Sequence, residues 1–145
     1  MVVKPVGDFT TAGAYQYTTI RTNVDILKMI QLGLTFCNAQ GELPKHNGEL
    51  CVWQFNFREF DPDNDMYAPE SIKLLLDSGI NFRANVERGV DQVRFAELLM
   101  TSGVVLNSDV SWITFHAGYD FGCAAARVIQ WLRHCASLAW RTCQV

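Results

Sequence analysis

The run Ser111-Trp112-Ile113-Thr114-Phe115-His116-Ala117-Gly118-Tyr119-Asp120-Phe121-Gly122 constrains the fold more than any other part of the chain. Trp112, Ile113 and Phe115 are aromatic and β-branched residues that suit a packed, pleated surface, and Gly118 and Gly122 bracket the point where such a strand should stop. The pattern predicts a buried strand with Asp120 at its exit. Open α/β sheets bind ligands beyond the carboxyl ends of their strands, so a carboxylate in that position is a candidate ligand. The same residue type suits the cap of a helix beginning around Phe121, and the local sequence leaves both roles open.

The remaining periodicities surround that strand with helices. Residues 11–27 carry Tyr15, Ile20, Val24 and Leu27 at roughly helical intervals. Residues 28–36 form an apolar run, and residues 50–57 alternate, with Trp53, Phe55 and Phe57 on one face. Together they predict an antiparallel hairpin with a long loop through Pro44, His46 and Asn47-Gly48. The stretch Asp61-Pro62-Asp63-Asn64-Asp65-Met66-Tyr67 offers oxygen ligands of the kind calcium needs, but lacks the glycine and distal glutamate of an EF-hand loop. It therefore predicts a solvated loop that enters a helix at Pro69-Glu70. Short helices are predicted over 71–78, with Ile72, Leu75 and Leu76 inward, and over 82–89. A third is predicted over 91–100, with Val93, Ala96, Leu99 and Met100 as its packing stripe. Residues 1–9, broken by Pro5 and Gly7, read as the tail of an extended segment. Strands interleaved with helices mean an α/β domain, and no internal repeat or linker divides it.

Composition excludes several classes. The 145 residues suffice for one domain or part of a larger one, and a hydrophobic share of 49% rules out a disordered chain. A formal net charge of -3 is not the basic footprint of a duplex DNA binder, although a narrow channel could manage phosphate charge with bound metal ions. No apolar run approaches the ~18 residues of a membrane span, and the start lacks the order of a signal peptide, so the expectation is a soluble intracellular chain. The five cysteines (Cys37, Cys51, Cys123, Cys135 and Cys143) form no Cys-x-x-Cys pair, which argues against zinc and against a disulfide framework.

Four blocks, taken in order, carry a resemblance. They are Asn23-Val24-Asp25-Ile26-Leu27-Lys28-Met29-Ile30-Gln31-Leu32-Gly33-Leu34-Thr35-Phe36, Trp53-Gln54-Phe55-Asn56-Phe57, Phe95-Ala96-Glu97-Leu98-Leu99-Met100-Thr101-Ser102-Gly103-Val104-Val105, and Phe115-His116-Ala117-Gly118-Tyr119-Asp120-Phe121-Gly122. Over residues 2–122 the chain resembles the Caf/Pop deadenylases, the catalytic subunits of the Ccr–Not complex. The resemblance implies an incomplete ribonuclease-H-like α/β fold of the DEDD exonuclease superfamily, with a mixed sheet flanked by helices. It also implies poly(A)-specific, 3′-to-5′ shortening of messenger RNA tails. Hydrolysing a phosphodiester with water calls for two divalent ions about 4 Å apart, which make the nucleophile and stabilise the leaving oxygen. Such ions, Mg2+ or Mn2+ by resemblance, take hard oxygen ligands. The family gathers four carboxylates for them: an Asp and a Glu in an Asp-Thr-Glu motif, an Asp in Gly-Tyr-Asp-Phe-Gly, and a last Asp near an assisting His. Carried over residue by residue, only Asp120 has a counterpart here, as catalytic residue and metal ligand. His116 stands four residues before it, but the assisting His belongs to the last motif, so His116 is expected to support the core or the site.

Both ends depart from the family. The Asp-Thr-Glu motif lies immediately before Val2-Val3-Lys4-Pro5, so this chain is expected to start just too late for it, with Met1 as an internal start. Residues 123–145 hold three arginines, two tryptophans, three cysteines and no acid, unlike the family's continuation. The expected organisation is a partial exonuclease domain over 1–122 and a divergent, basic, helical tail over 123–145, as a read-through, frameshift or alternative exon would produce. In the tail, Val128, Trp131, Leu132, Cys135 and Leu138 share one helical face, which suits a helix covering the sheet; a contact with RNA, membrane or a partner is the other reading. Absence of a first strand should also leave a sheet edge unpaired. One carboxylate of four cannot hold two ions, so the isolated polypeptide is expected to be inactive. The implied partners are the Not scaffold, other Ccr–Not subunits and poly(A) RNA, with no DNA and no membrane, in cytoplasm and nucleus. The alternative from another class is a noncatalytic fragment that binds the Not scaffold.

Overall fold

The computed structural model describes residues 2–114, 118–119 and 122–123. The first element, α1 (Ala12–Ile26), begins where the Thr11 hydroxyl oxygen accepts the Ala14 N–H at 3.1 Å, a side-chain cap for one orphan donor of the first turn. It ends as Leu27 turns extended. Strands β1 (Gln31–Leu34) and β4 (Trp53–Asn56) then pair antiparallel, with Leu32 opposite Phe55 and Leu34 opposite Trp53. The expected long loop between them contains a nested hairpin of β2 (Lys45–His46) and β3 (Glu49–Leu50). Its turn is Asn47-Gly48, with φ of +52 and +87°, the left-handed pair that a two-residue hairpin turn requires.

Beyond β4 the sheet changes sense. Phe57 and Val90 form a parallel bridge, in which the Val90 N–H donates to the Asn56 carbonyl at 2.8 Å and the Arg58 N–H to the Val90 carbonyl at 3.2 Å. Helices α2 (Pro69–Asp77), α3 (Phe82–Arg88) and α4 (Gln92–Thr101) follow close to their predicted positions. Asn81 and Asp91 cap α3 and α4 through their side-chain oxygens.

The main core cluster is Phe60, Ile72 and Phe82, with Ile30, Tyr67, Leu75 and Ile80 packed around it. Leu76, expected inward, is 53% exposed. Leu75 lies about 60° to one side of Ile72 and Leu76 about 40° to the other, and the core packs against the Leu75 side, which leaves Leu76 at the edge of the stripe. On α4 the stripe centres on Phe95 and Ala96, with Val93, Leu99 and Met100 only half-buried. The cause is aromatic: the Phe95 ring meets Phe55 and Phe57 at centroid distances of 4.9 and 5.2 Å.

The strand expected from Ser111 up to Gly118 is corrected over 111–114, and its residues 115–117 lie outside the described residues. Residues 111–114 enter no strand, and Ile113 is 90% exposed. A β-segment is stable only when its main-chain groups enter a ladder, and among the described residues no strand of either sheet includes 111–114. Helical conformation is present at Gly118 and Tyr119, ahead of the expected helix start at Phe121.

Gly89 closes α3 where a side chain does not fit. A Cβ there would lie 2.3 Å from the Asn85 carbonyl oxygen, 2.8 Å from the Arg58 nitrogen and 2.9 Å from the Phe57 carbonyl carbon. These are backbone atoms and cannot rotate aside. Gly89→Ala is expected to cost about 1–3 kcal/mol in urea unfolding, by the overpacking it forces. Gly33→Ala, with no atom within 4 Å of its Cβ, should be nearly silent in the same assay.

Candidate functional site

Asn23 is a polar residue in the apolar stripe of α1, three positions after Ile20 and one before Val24. It is 0% exposed and fully hydrogen-bonded. Its Oδ1 accepts the N–H groups of Val2 and Val3 at 2.8 and 3.0 Å. Its Nδ2 donates to the carbonyls of Val3 and Thr19 at 2.7 and 2.8 Å. One carboxamide thereby serves the extended Val2–Val3 backbone as a neighbouring strand would, and satisfies each of its own polar atoms in a dry site.

The adjoining positions of α1 hold the segment around Asp120. A Cβ on Gly118 would lie 2.9 Å from Cδ1 of Ile20; one on Gly122 would lie 3.1 Å from Cγ2 of Ile20 and 3.3 Å from Cγ2 of Val24. Glycine at both places permits this close approach. A single turn of α1 thus carries Val2–Val3 on Asn23 and the Gly118 and Gly122 backbone on Ile20 and Val24. Asp120 and His116 lie outside the described residues, as does nearly all of the 123–145 tail.

The carboxylates of the acidic loop are engaged with groups of the loop itself and with Lys28. The Asp61 carboxylate accepts from the Asn64 side chain at 2.7 Å and from the Asp63 N–H at 3.0 Å. Asp65 accepts the Asp61 N–H at 2.7 Å and pairs with Lys28 Nζ at 2.9 Å. The Asn64 hydrogen bond, then the Asp63 N–H, and more weakly the Lys28 charge hold the Asp61 carboxyl below its ordinary value against a small opposing effect of burial. The carboxylate form is the bonded one, so the loop's bonds weaken only as pH falls through that lowered value.

Two further polar contacts fix α4. Glu59 Oε1 accepts the Gln92 N–H at 2.7 Å, and Gln92 Nε2 donates to the Met29 carbonyl at 2.9 Å, tying the helix start to the approach to β1. Glu59 Oε2 and Asn85 Nδ2 are buried without a hydrogen-bond partner. An open concavity of about 580 Å³ is lined by Tyr67, Ile72, Leu76, Ile80, Phe82 and Arg83 among others, and brings no carboxylates together. Among the described residues no three Asp, Glu, His or Cys side chains could share a metal ion.

No family model matches the chain. Individual proteins do. It is 59% identical over 124 residues to the Arabidopsis thaliana protein named probable CCR4-associated factor 1 homolog 7, covering 84% of this chain and 45% of that protein. Against poly(A) ribonuclease pop2 of Schizosaccharomyces pombe it is 51% identical over 121 residues, covering 83% of this chain and 35% of that one. The solved structure of S. pombe Pop2p in its Mg2+- and Mn2+-bound form superposes with a TM-score of 0.83 at 49% identity, over 89% of this chain and 50% of that one. Over most of its own length the chain is homologous to Caf/Pop proteins. A second Caf/Pop structure, yeast NOT1 MIF4G domain co-crystallised with CAF1, matches with a TM-score of 0.67 at 40% identity, over 86% of this chain and 46% of that one. The fold is accordingly the ribonuclease-H-like α/β fold expected from the sequence. The chain spans less than half the length of the A. thaliana and S. pombe Caf/Pop proteins it matches.

Proposed function

We propose that this chain carries part of the catalytic domain of a poly(A)-specific 3′-to-5′ exoribonuclease, and that Asp120 is one of the carboxylates of its metal centre. The observation that carries this reading is the likeness to a Pop2p bound to Mg2+ and Mn2+, at 49% identity and a TM-score of 0.83. In this reading residues 1–122 form the partial nuclease domain, residues 123–145 a separate tail, and His116 a supporting residue behind Asp120. The substrate is messenger RNA poly(A), not DNA, in cytoplasm and nucleus. The partner is the Not scaffold, supported by the likeness to CAF1 crystallised with the NOT1 MIF4G domain.

The donor set does not complete a two-ion centre. Asp120 is the single position of this chain that matches the family's ligands, and the described residues bring together no other group able to hold an ion. What the chain's own residues do is positional: α1 holds Val2–Val3 and the Gly118 and Gly122 backbone on one turn.

Two assays test the reading together. The 145-residue polypeptide, incubated with 3′-oligoadenylated RNA and Mg2+ or Mn2+, is expected to leave the tail at full length, and Asp120→Ala to change nothing. A metal-dependent tail loss that Asp120→Ala abolishes would overturn the inactivity of the isolated chain. In a chimera, residues 2–122 replace the matching segment of S. pombe Pop2p; it is expected to shorten the tail, and Asp120→Ala to abolish that activity. A folded chimera with no activity, or one indifferent to Asp120→Ala, would remove the ligand assignment.

A further inference from the structure

Of the asparagines of this chain, Asn47 alone is followed by glycine. The side chains of Asn23, Asn38, Asn56, Asn64, Asn81 and Asn107 are held by hydrogen bonds. Asn85 is buried and precedes the β-branched Val86. The Asn47 carboxamide is exposed and bonds to no described group, and neither does the Gly48 N–H that follows it. Ladder parity explains the second point. The Cys51 N–H donates to the Pro44 carbonyl at 2.9 Å, so alternation makes His46 and Glu49 the hydrogen-bonded pair that closes the turn. Asn47 and Gly48 lie inside that closure, at φ of +52 and +87°, and no atom stands within 4 Å of where a Gly48 Cβ would be. The β2–β3 hairpin holding them has just the pairs 45–50 and 46–49, and all of those residues are exposed, Leu50 by 63%. A two-stranded ladder that buries so little opens at small cost. Each opening frees the main chain at Asn47 to turn until the Gly48 nitrogen faces the neighbouring side-chain carbonyl.

We propose that Asn47-Gly48 is a self-modification site, at which the Gly48 nitrogen attacks the side-chain carbonyl carbon of Asn47. The new C–N bond closes a succinimide ring. The side-chain amino group leaves as ammonia, and the proton given up by the Gly48 nitrogen reaches it through water. A second water then opens the ring at one of its two carbonyls. Opening at the former side-chain carbonyl restores the main chain with an ordinary aspartate at position 47; opening at the main-chain carbonyl leaves isoaspartate. No electrons are exchanged, and water is the one co-reactant. Either product adds one carboxylate, which takes the formal net charge from -3 to -4. The products differ in what they do to the fold. Ordinary aspartate tolerates a left-handed φ as asparagine does, and keeps the turn. Isoaspartate inserts a methylene into the main chain, so His46 and Glu49 no longer meet across a two-residue turn and the β2–β3 pairing is lost. The β1–β4 ladder has its own bonds and stays.

Ageing the full 145-residue chain in neutral buffer, followed by peptide mass spectrometry, tests this. The peptide containing Asn47 is expected to gain the mass of an NH2-to-OH exchange before any other asparagine does, with release of ammonia and a shift of one charge on isoelectric focusing. Hydroxylamine added during ageing should cut the chain between residues 47 and 48, which reports the succinimide itself. The folded chain is expected to react within about tenfold of its rate in urea, the factor that an opening cost of about 1.4 kcal/mol allows. In the isoaspartate form the Glu49 amide should lose its protection against hydrogen exchange, while the Leu32 and Phe55 amides keep theirs. Asn47→Gln would have to close a larger ring and is expected to stay unchanged over the same interval; Asn47→Asp keeps the turn and supplies the ordinary product for comparison. An unaltered Asn47, prior conversion of another asparagine, or conversion with no hydroxylamine-sensitive intermediate would overturn the proposal. So would a folded chain that reacts far more slowly than this, since the hairpin would then shield Asn47, or Glu49 protection that survives isoaspartate.

Discussion

Replacing Asn23 by Ala is expected to release residues 2 and 3 from α1 and to cost about 3 kcal/mol, because it leaves half-buried main-chain donors and an acceptor without partners. The native carboxamide satisfies Val2 N–H, Val3 N–H, Val3 C=O and Thr19 C=O at once. Ala satisfies none of the Val2 and Val3 groups, while the Thr19 carbonyl keeps its place in the helix ladder. Hydrogen exchange should show the Val2 and Val3 amides exchanging about 100-fold faster in the variant, at 1.4 kcal/mol per tenfold. Asn23→Asp separates the parts of the effect, since it keeps the acceptor for the two N–H groups but loses both donated bonds and buries a charge. Unchanged protection of Val2 and Val3 in Asn23→Ala would show that the clamp does not hold the segment.

Phe57→Ala should be the most damaging single truncation in the sheet, at about 3–5 kcal/mol in urea unfolding. Phe57 is 0% exposed, its ring meets Phe95 edge-on at 5.2 Å, and its backbone joins the antiparallel ladder to the parallel bridge at Val90. Removing the ring leaves a cavity lined by α4 as well as a poorer ladder. Trp53, on the same strand but 38% exposed, is the control: Trp53→Ala should cost clearly less, since much of its area is already in water. A Trp53→Ala variant as unstable as Phe57→Ala would mean that the packing between the sheet and α4 does not centre on Phe57 and Phe95.

The helices were legible because periodicity and caps agreed. Thr11, Pro69, Asn81 and Asp91 each stand at or beside a helix start, and spacing placed Val24 of α1 and Ile72 and Leu75 of α2 inward, but not Thr19 and Asn23, and it wrongly placed Tyr15 and Leu76 there. The β1–β4 pairing was legible from the alternation of Trp53, Phe55 and Phe57. The nested hairpin could have been read from Asn47-Gly48, a turn signal that was assigned to the loop. Phe95 was missed because a helical stripe can be phased in more than one way, and only the rings of Phe55 and Phe57 select the phase observed. Residues 111–114 do not form the expected strand because composition records the propensity of a segment and not whether a ladder is there to receive it. Asn23 carried the one signal for the α1 clamp: a polar residue in an apolar stripe has to find partners.

The double engagement of α1 also has a kinetic consequence. Asn23 waits for an extended segment that precedes the helix, whereas Ile20 and Val24 wait for glycines at the far end of the described chain. The first contact is local in sequence and closes early; the second needs nearly the whole intervening chain to have been made. Closing so long a loop is slow, and until it closes α1 presents a bare aliphatic face. During synthesis that face should be the part of the nascent chain most exposed to capture by chaperones, and the last to be covered.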